Sequence, residues 1–317
     1  MRHLPVMGRL PDYLRLLRAP NVFTALADVM LGYACIQRGL APLPPLVGLL
    51  ATSALLYLAG MVLNDVFDID VDRRERPQRP LPAERISLRA ARNLGFALLA
   101  GGLAAGWLTA TAVTPLGRSG WVASLLAGCI LLYDAGIKAT PVGPLLMGAC
   151  RGLNVLLGAS LTVADGAGDI VLTFPAYVLV AAVGMGVYVA GVTWYARREA
   201  EASEGWHLAG AILVMLAGIV CLGLLHRNLP PGFRPALPER WWLLMLALLG
   251  LPIARRCVMT IADPTPERVQ AAVKQCLLSI VIFDAAVTFV VGNWYDAVSV
   301  LSLLVPAVLL GRWVYST

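Results

Sequence analysis

Residues 64–82 read NDVFDIDVDRRERPQRPLP and follow directly on an apolar run. Four aspartates, one glutamate and four arginines crowd this stretch, in a protein of which only 14% is charged. Asp65, Asp68 and Asp72 are spaced three and four apart, so a helix sets them on one face with Asn64 beside them. Like charges on one stripe repel each other unless a divalent ion sits between them. Hard cations such as Mg²⁺ take oxygen ligands, and typically bridge one or two carboxylates to substrate phosphates. Asn64, Asp65, Asp68 and Asp72 are therefore the candidate Mg²⁺ ligands, and the three aspartates the candidate catalytic groups. Asp70 points off this stripe. Arg73, Arg74, Arg76 and Arg79 follow at once, and guanidiniums grip phosphate oxygens in pairs. Pro80 and Pro82 stiffen the loop that presents Arg79. The alternative is a solvated helix end whose acids and bases make local ion pairs.

Three other places carry polar groups next to apolar runs. Tyr133-Asp134-Ala135-Gly136-Ile137-Lys138 ends in a lysine that either meets an anion or snorkels to the interface. Within Gly148-Ala149-Cys150-Arg151-Gly152-Leu153-Asn154 a guanidinium lies inside an apolar segment. Charge there is expensive, so Arg151 is expected to face the interior or a wet cavity, paired with Asp134 or Asp284. Asn154 shares its face at i, i+3, and Gly148 and Gly152 permit close helix approach. The third place is Thr193-Trp194-Tyr195-Ala196-Arg197-Arg198-Glu199-Ala200-Glu201, where Thr193 and Arg197 share a face.

These groups must be held by membrane helices. Of 317 residues, 59% are hydrophobic, and apolar stretches of roughly 17–25 residues recur throughout, each able to span the hydrocarbon core. Such continuous runs exclude a β-barrel. The chain is expected to be an all-α polytopic membrane bundle, one domain over 1–317. Ten spans are expected, near 20–37, 44–63, 93–112, 120–136, 144–163, 171–192, 208–225, 241–258, 272–291 and 296–313. With the N-terminus in the cytoplasm, nineteen lysines and arginines fall on the cytoplasmic side and five on the other. This asymmetry sets the orientation. It places the Asp-rich segment, the Lys138 loop and the Arg197 loop on one cytoplasmic face, in an integral protein of a bacterial inner membrane. The first residues are basic and broken by prolines, so the first span is expected to act as an uncleaved insertion signal. Six scattered cysteines without a CxxC pair read as small buried hydrophobes. The net charge of +6 lies in loops flanking spans, which is a topology signal and gives no reason to expect nucleic acid.

The stretch N64-D65-V-F-D68-I-D-V-D72-R73, with R79-P80-L81-P82 and Ile86-Ser87, resembles the first signature of the UbiA superfamily of intramembrane prenyltransferases, and Leu17-Arg18-Ala19-Pro20-Asn21 is similar as well. The resemblance implies about nine helices around a central cavity, and transfer of a prenyl chain from a Mg²⁺-bound prenyl diphosphate to an aromatic or other lipophilic acceptor. It implies Lys138 on the diphosphate, with the head between Asn64, Asp65, Asp68, Asp72, Lys138, Arg151 and Arg197, and Arg79, Asn154 and Thr193 beside it. The chain departs from the family where a second acidic motif is expected, since Thr193, Ala196 and Ala200 stand there. Either Glu199 or Glu201 reaches the metal by a shift of register, or Arg197 replaces the missing ion. Tyr57, Tyr188 and Trp194 are candidates to line the pocket, and no histidine is placed as a base. The segments RGLNVLLG and GVTWYARRE resemble a divergent subgroup encoded in bacterial and algal Ebo clusters. Rival readings are a lipid-binding or transport-assisting protein with a degenerate site, and an intramembrane terpene cyclase.

Overall fold

The computed structural model describes residues 10–113, 117–161, 172–197, 205–263 and 265–315, and its regular elements are all helical. They are α1 (Leu10–Leu16), α2 (Val22–Gln37), α3 (Leu43–Phe67), α4 (Ile69–Glu75), α5 (Leu88–Val113), α6 (Arg118–Asp134), α7 (Gly143–Gly158), α8 (Ala176–Ala196), α9 (Gly205–Gly223), α10 (Glu239–Ala262), α11 (Pro266–Val291), α12 (Trp294–Ser302) and α13 (Leu304–Tyr315). Nine helical segments among the described residues are long and apolar enough to cross a membrane. The 17-residue α6, packed between α5 and α7 where a tenth span was expected, is shorter than these nine. The last expected span is broken at Leu303 into α12 and α13.

Lipid offers the backbone no partners, so each segment closes its own hydrogen bonds as a helix. Prolines mark several starts, where the missing N–H costs nothing: Pro44 in α3, Pro144 in α7 and Pro266 in α11. Outward-facing Leu213, Val220, Leu248 and Leu251 are exposed, as suits side chains that meet acyl chains rather than water.

Consecutive long helices are neighbours and run around a ring, and α11 returns to α2. The ring is pinched where α2 crosses α7. A Cβ on Gly32 would lie 1.9 Å from the Val155 carbonyl oxygen, and one on Gly158 would lie 2.1 Å from the Val29 carbonyl oxygen. Backbone meets backbone here because neither glycine has a side chain. Gly148 allows a similar approach of α7 to α8, where a Cβ would lie 2.4 Å from the Gly186 carbonyl oxygen.

The pinch separates two lobes. In the lobe of α8–α11 the interior is filled. Tyr188 and Phe283 meet edge to face at 5.2 Å, the Tyr188 hydroxyl lies 2.7 Å from Ser279 Oγ, and the Trp242 indole N–H donates to the Leu222 carbonyl at 3.1 Å. Tyr188 is thus a packing residue and not a pocket wall. Trp194, the other aromatic expected at the pocket from this side, donates its indole N–H to His207 Nδ1 at 3.3 Å. The lobe of α3, α6 and α7 instead keeps a central cavity.

Gly158→Ala is expected to force α2 and α7 apart and to lower stability by about 1–3 kcal/mol. Thermal unfolding in detergent checks this against Gly128→Ala, whose added Cβ meets nothing within 4 Å and is expected to leave the midpoint unchanged.

Candidate active site

The Asp-rich segment does not form one straight helix. α3 ends at Phe67, Asp68 takes φ −88° and ψ 5° as its cap, and α4 begins at Ile69. The turn sends the carboxylates in two directions. Asp65 and Asp72 are both buried and share one guanidinium: Arg79 Nη1 lies 2.7 Å from Asp72 and 3.3 Å from Asp65. Arg18 adds a second cation to Asp65 at 3.0 Å. Asp68 faces away from that pair and meets Lys138 Nζ at 2.6 Å. Asp70 stays in solvent on Arg73, as its position off the stripe requires.

Arg79 is held over the acids by packing. Leu81 and Ile86 are buried with Leu16, Val62 and Ala91, and the Pro80 carbonyl accepts from Arg85 N–H at 3.0 Å. Arg85 Nε lies 2.9 Å from Asp12, which fastens the loop to α1. The RPLP stretch therefore plugs a small apolar cap and aims Arg79 inward. Asp65 and Asp72 thus lie on Arg79, and Asp68 on Lys138.

Beside this cluster lies a cavity of about 150 Å³. Arg18, Asn64 and Asp134 stand at its polar end, and Tyr57, Met61, Ile130, Tyr133 and Met147 make its walls. Asn64 Nδ2 donates to Asp134 Oδ1 at 2.9 Å, while Asp134 Oδ2 is buried with no protein hydrogen-bond donor. Asn64 Oδ1, Asp68 and Asp134 Oδ2 are hard oxygen donors. Together with substrate phosphates they fit a cation that asks for only one or two carboxylates.

Arg151 and Asn154 line the same cavity, but Arg151 is not in contact with the Asp-rich cluster. Its Nη1 donates to Asp28 Oδ2 at 2.7 Å and its Nη2 to Thr24 Oγ1 at 2.6 Å. The carboxylate partner is thus Asp28 of α2, not Asp134 or Asp284, although Asp284 stands beside Asp28. Asn154 accepts from Ser53 Oγ at 2.9 Å and reaches Asp28 Oδ2 at 3.4 Å.

At the end of α8, Arg197 donates to the Ala139 carbonyl on the loop that carries Lys138. Thr193 is half-buried one turn earlier and does not line the cavity. Glu199 and Glu201 lie outside the described residues. The group that sequence reasoning passed over is Asp28, a lone aspartate inside the first apolar span. Arg18 was named only within the Leu17–Asn21 stretch and Asp134 only as a partner for Arg151, not as lining of the cavity.

Residues 25–279 match the model of the UbiA prenyltransferase family. Among curated proteins, the chain is 32% identical over 155 residues to the digeranylgeranylglyceryl phosphate synthase of Methanoculleus marisnigri, covering 49% of this chain and 53% of that protein. It is 32% identical over 163 residues to the synthase of the same name from Ignicoccus hospitalis, covering 51% of each. The chain spans about half the length of these curated relatives. They are not Ebo-cluster proteins, so the subgroup expected from RGLNVLLG and GVTWYARRE is not what this similarity returns. Among solved structures, a digeranylgeranylglyceryl phosphate synthase superposes with a TM-score of 0.61 at 20% identity, covering 90% of this chain and 99% of that one. An Archaeoglobus fulgidus UbiA homologue bound to GPP and Mg²⁺ gives 0.57 at 17% identity, covering 92% and 99%. At these identities the structural likeness speaks for the fold, and the match over residues 25–279 speaks for the family. The chain belongs to the UbiA prenyltransferase family.

Proposed function

We propose that this protein transfers a prenyl group from a magnesium-bound prenyl diphosphate to a lipophilic acceptor within the membrane. The observation that carries the reading is the meeting of two environments. A polar end with Arg18, Asn64 and Asp134, next to Asp68 and Lys138, opens into a cavity walled by Tyr57, Met61 and Tyr133. A diphosphate belongs at the first and a hydrocarbon chain in the second. The Archaeoglobus relative bound to GPP and Mg²⁺ supports the donor class.

Asn64, Asp68 and Asp134 are the residues that would hold the magnesium ion, which when bound offsets charge on the leaving diphosphate. The chain's own cations do the remaining electrostatic work. Lys138 and Arg18 lie where an anionic head would sit, each now occupied with a carboxylate. Their preorganised charge favours the diphosphate as it departs. Arg79 fixes Asp65 and Asp72 and so holds the shape of the mouth. Arg197 stands where the family usually supplies a second acidic motif, and its bond to the Ala139 carbonyl brings a guanidinium to the Lys138 loop. That placement favours a cation in place of a second ion. The tyrosine faces of Tyr57 and Tyr133 can stabilise an allylic cation. His207 and His226 do not line the cavity, so no histidine among the described residues stands at it.

The names of the curated relatives make a glyceryl phosphate lipid the first acceptor to try. The cation asymmetry of the loops supports a mouth on the cytoplasmic side of the membrane. Purified protein with Mg²⁺, geranyl to geranylgeranyl diphosphates and such an acceptor tests the reading through prenylated product. Diphosphate release with a cyclic hydrocarbon would instead indicate a cyclase, and tight binding without release a carrier.

Asp68→Asn is expected to slow diphosphate release about a hundredfold or more, whereas Asp70→Asn, on a side chain 85% exposed, is expected to release it at the wild-type rate. Arg197→Asp is expected to retain turnover while raising the Mg²⁺ concentration needed for half-maximal rate; an unchanged Mg²⁺ titration would count against the substitute cation.

A further inference from the structure

A larger concavity lies apart from the site above. It is a groove of about 570 Å³ on the outer face between α10, α11 and α13. Leu249, Ile253, Leu278, Ile282, Leu304 and Val308 make it apolar along its length. One end is different: Arg256, Lys274 and Gln275 close it at the turn between α10 and α11. Lining residues of α11 run from Ala271 to Phe283, so the groove extends about 18 Å along that helix. That is about half the thickness of a bilayer's hydrocarbon core, one leaflet.

The charged end has more cations than acids to meet them. Arg255, Arg256 and Lys274 are exposed and form no ion pair with a described residue. Arg256 Nη1 donates instead to the neutral Gln275 Oε1 at 2.9 Å. Arg268 is engaged by Asp263 at 3.1 Å, and Glu267 lines the adjoining surface with Arg255, Arg256 and Arg268. Three unpaired cations against one carboxylate leave a net positive charge at the mouth of an apolar slot. Pro252 stands on the slot's wall and interrupts the hydrogen bonding of α10 there.

We propose that this groove binds one anionic phospholipid, its phosphate on Arg256 and Lys274 and one acyl chain along α11 toward Phe283. The chemistry is that of a basic pocket between spans that selects a negative headgroup. The groove shares no lining residue with the active-site cavity, so the proposal stands apart from prenyl transfer.

Native mass spectrometry of the intact protein in mild detergent tests it, with phosphatidylglycerol, phosphatidylcholine of the same chains, or inorganic phosphate added separately. The wild type is expected to retain phosphatidylglycerol at least tenfold (roughly one charged contact's worth) over phosphatidylcholine, and to retain no phosphate. Arg256→Gln with Lys274→Gln is expected to abolish the preference. Val308→Trp narrows the groove from the opposite wall without touching the cations, and is expected to lower phosphatidylglycerol retention. Equal retention of the two lipids by the wild type overturns the proposal. So does a preference that survives in both variants, and so does phosphate retained as strongly as the lipid.

Discussion

A guanidinium in the interior of a membrane bundle needs a carboxylate within reach, and the rest of this molecule is arranged to supply it. Arg151 reaches Asp28 at 2.7 Å only because α2 and α7 touch backbone to backbone. Gly32 and Gly158 permit that crossing. Breaking such a buried pair leaves a stranded charge, which is far costlier than the pair itself is stabilising. The same crossing pinches the helix ring and leaves the cavity to one lobe. Charge pairing, glycine placement and cavity location are thus one arrangement seen at three scales.

The polar end obeys the same rule nearer to water. Every aspartate of the Asp-rich segment lies against a cation: Asp65 and Asp72 on Arg79, Asp68 on Lys138, Asp70 on Arg73. The pairs differ in what releases them. Arg79 is locked by the packing of Leu81 and Ile86. Lys138 sits on a short loop between α6 and α7, which Arg197 fastens through the Ala139 carbonyl. Asp68, at a break between two helices, is the acid whose partner can most easily be exchanged.

Much of this was legible from sequence. Long apolar runs gave the spans, since length and hydropathy decide them before any tertiary contact forms. The Asp-rich segment stood out because charge is rare in this chain. What local spacing could not supply was the set of partners. A helical wheel sets Asp65, Asp68 and Asp72 on one stripe, but it cannot foresee that the helix turns at Asp68, nor that a proline-stiffened loop brings Arg79 between two of them. Arg151 was rightly expected to be paired, yet the pairing depends on which helices cross, and local spacing holds no record of that. Asp28 was overlooked for the same reason. Tyr188 and Trp194 looked like pocket walls until the lobes were distinguished.

Arg79 has one more bearing on behaviour. By clasping Asp65 and Asp72 it balances their charge, so that these two acids do not stand as a bare pair. Free ions gain little by entering alone. A pyrophosphoryl group carrying its own counterion brings negative charge that the surrounding bases can receive. Under the proposed function, a metal and a diphosphate would then enter as a couple, each bringing the charge that the other lacks.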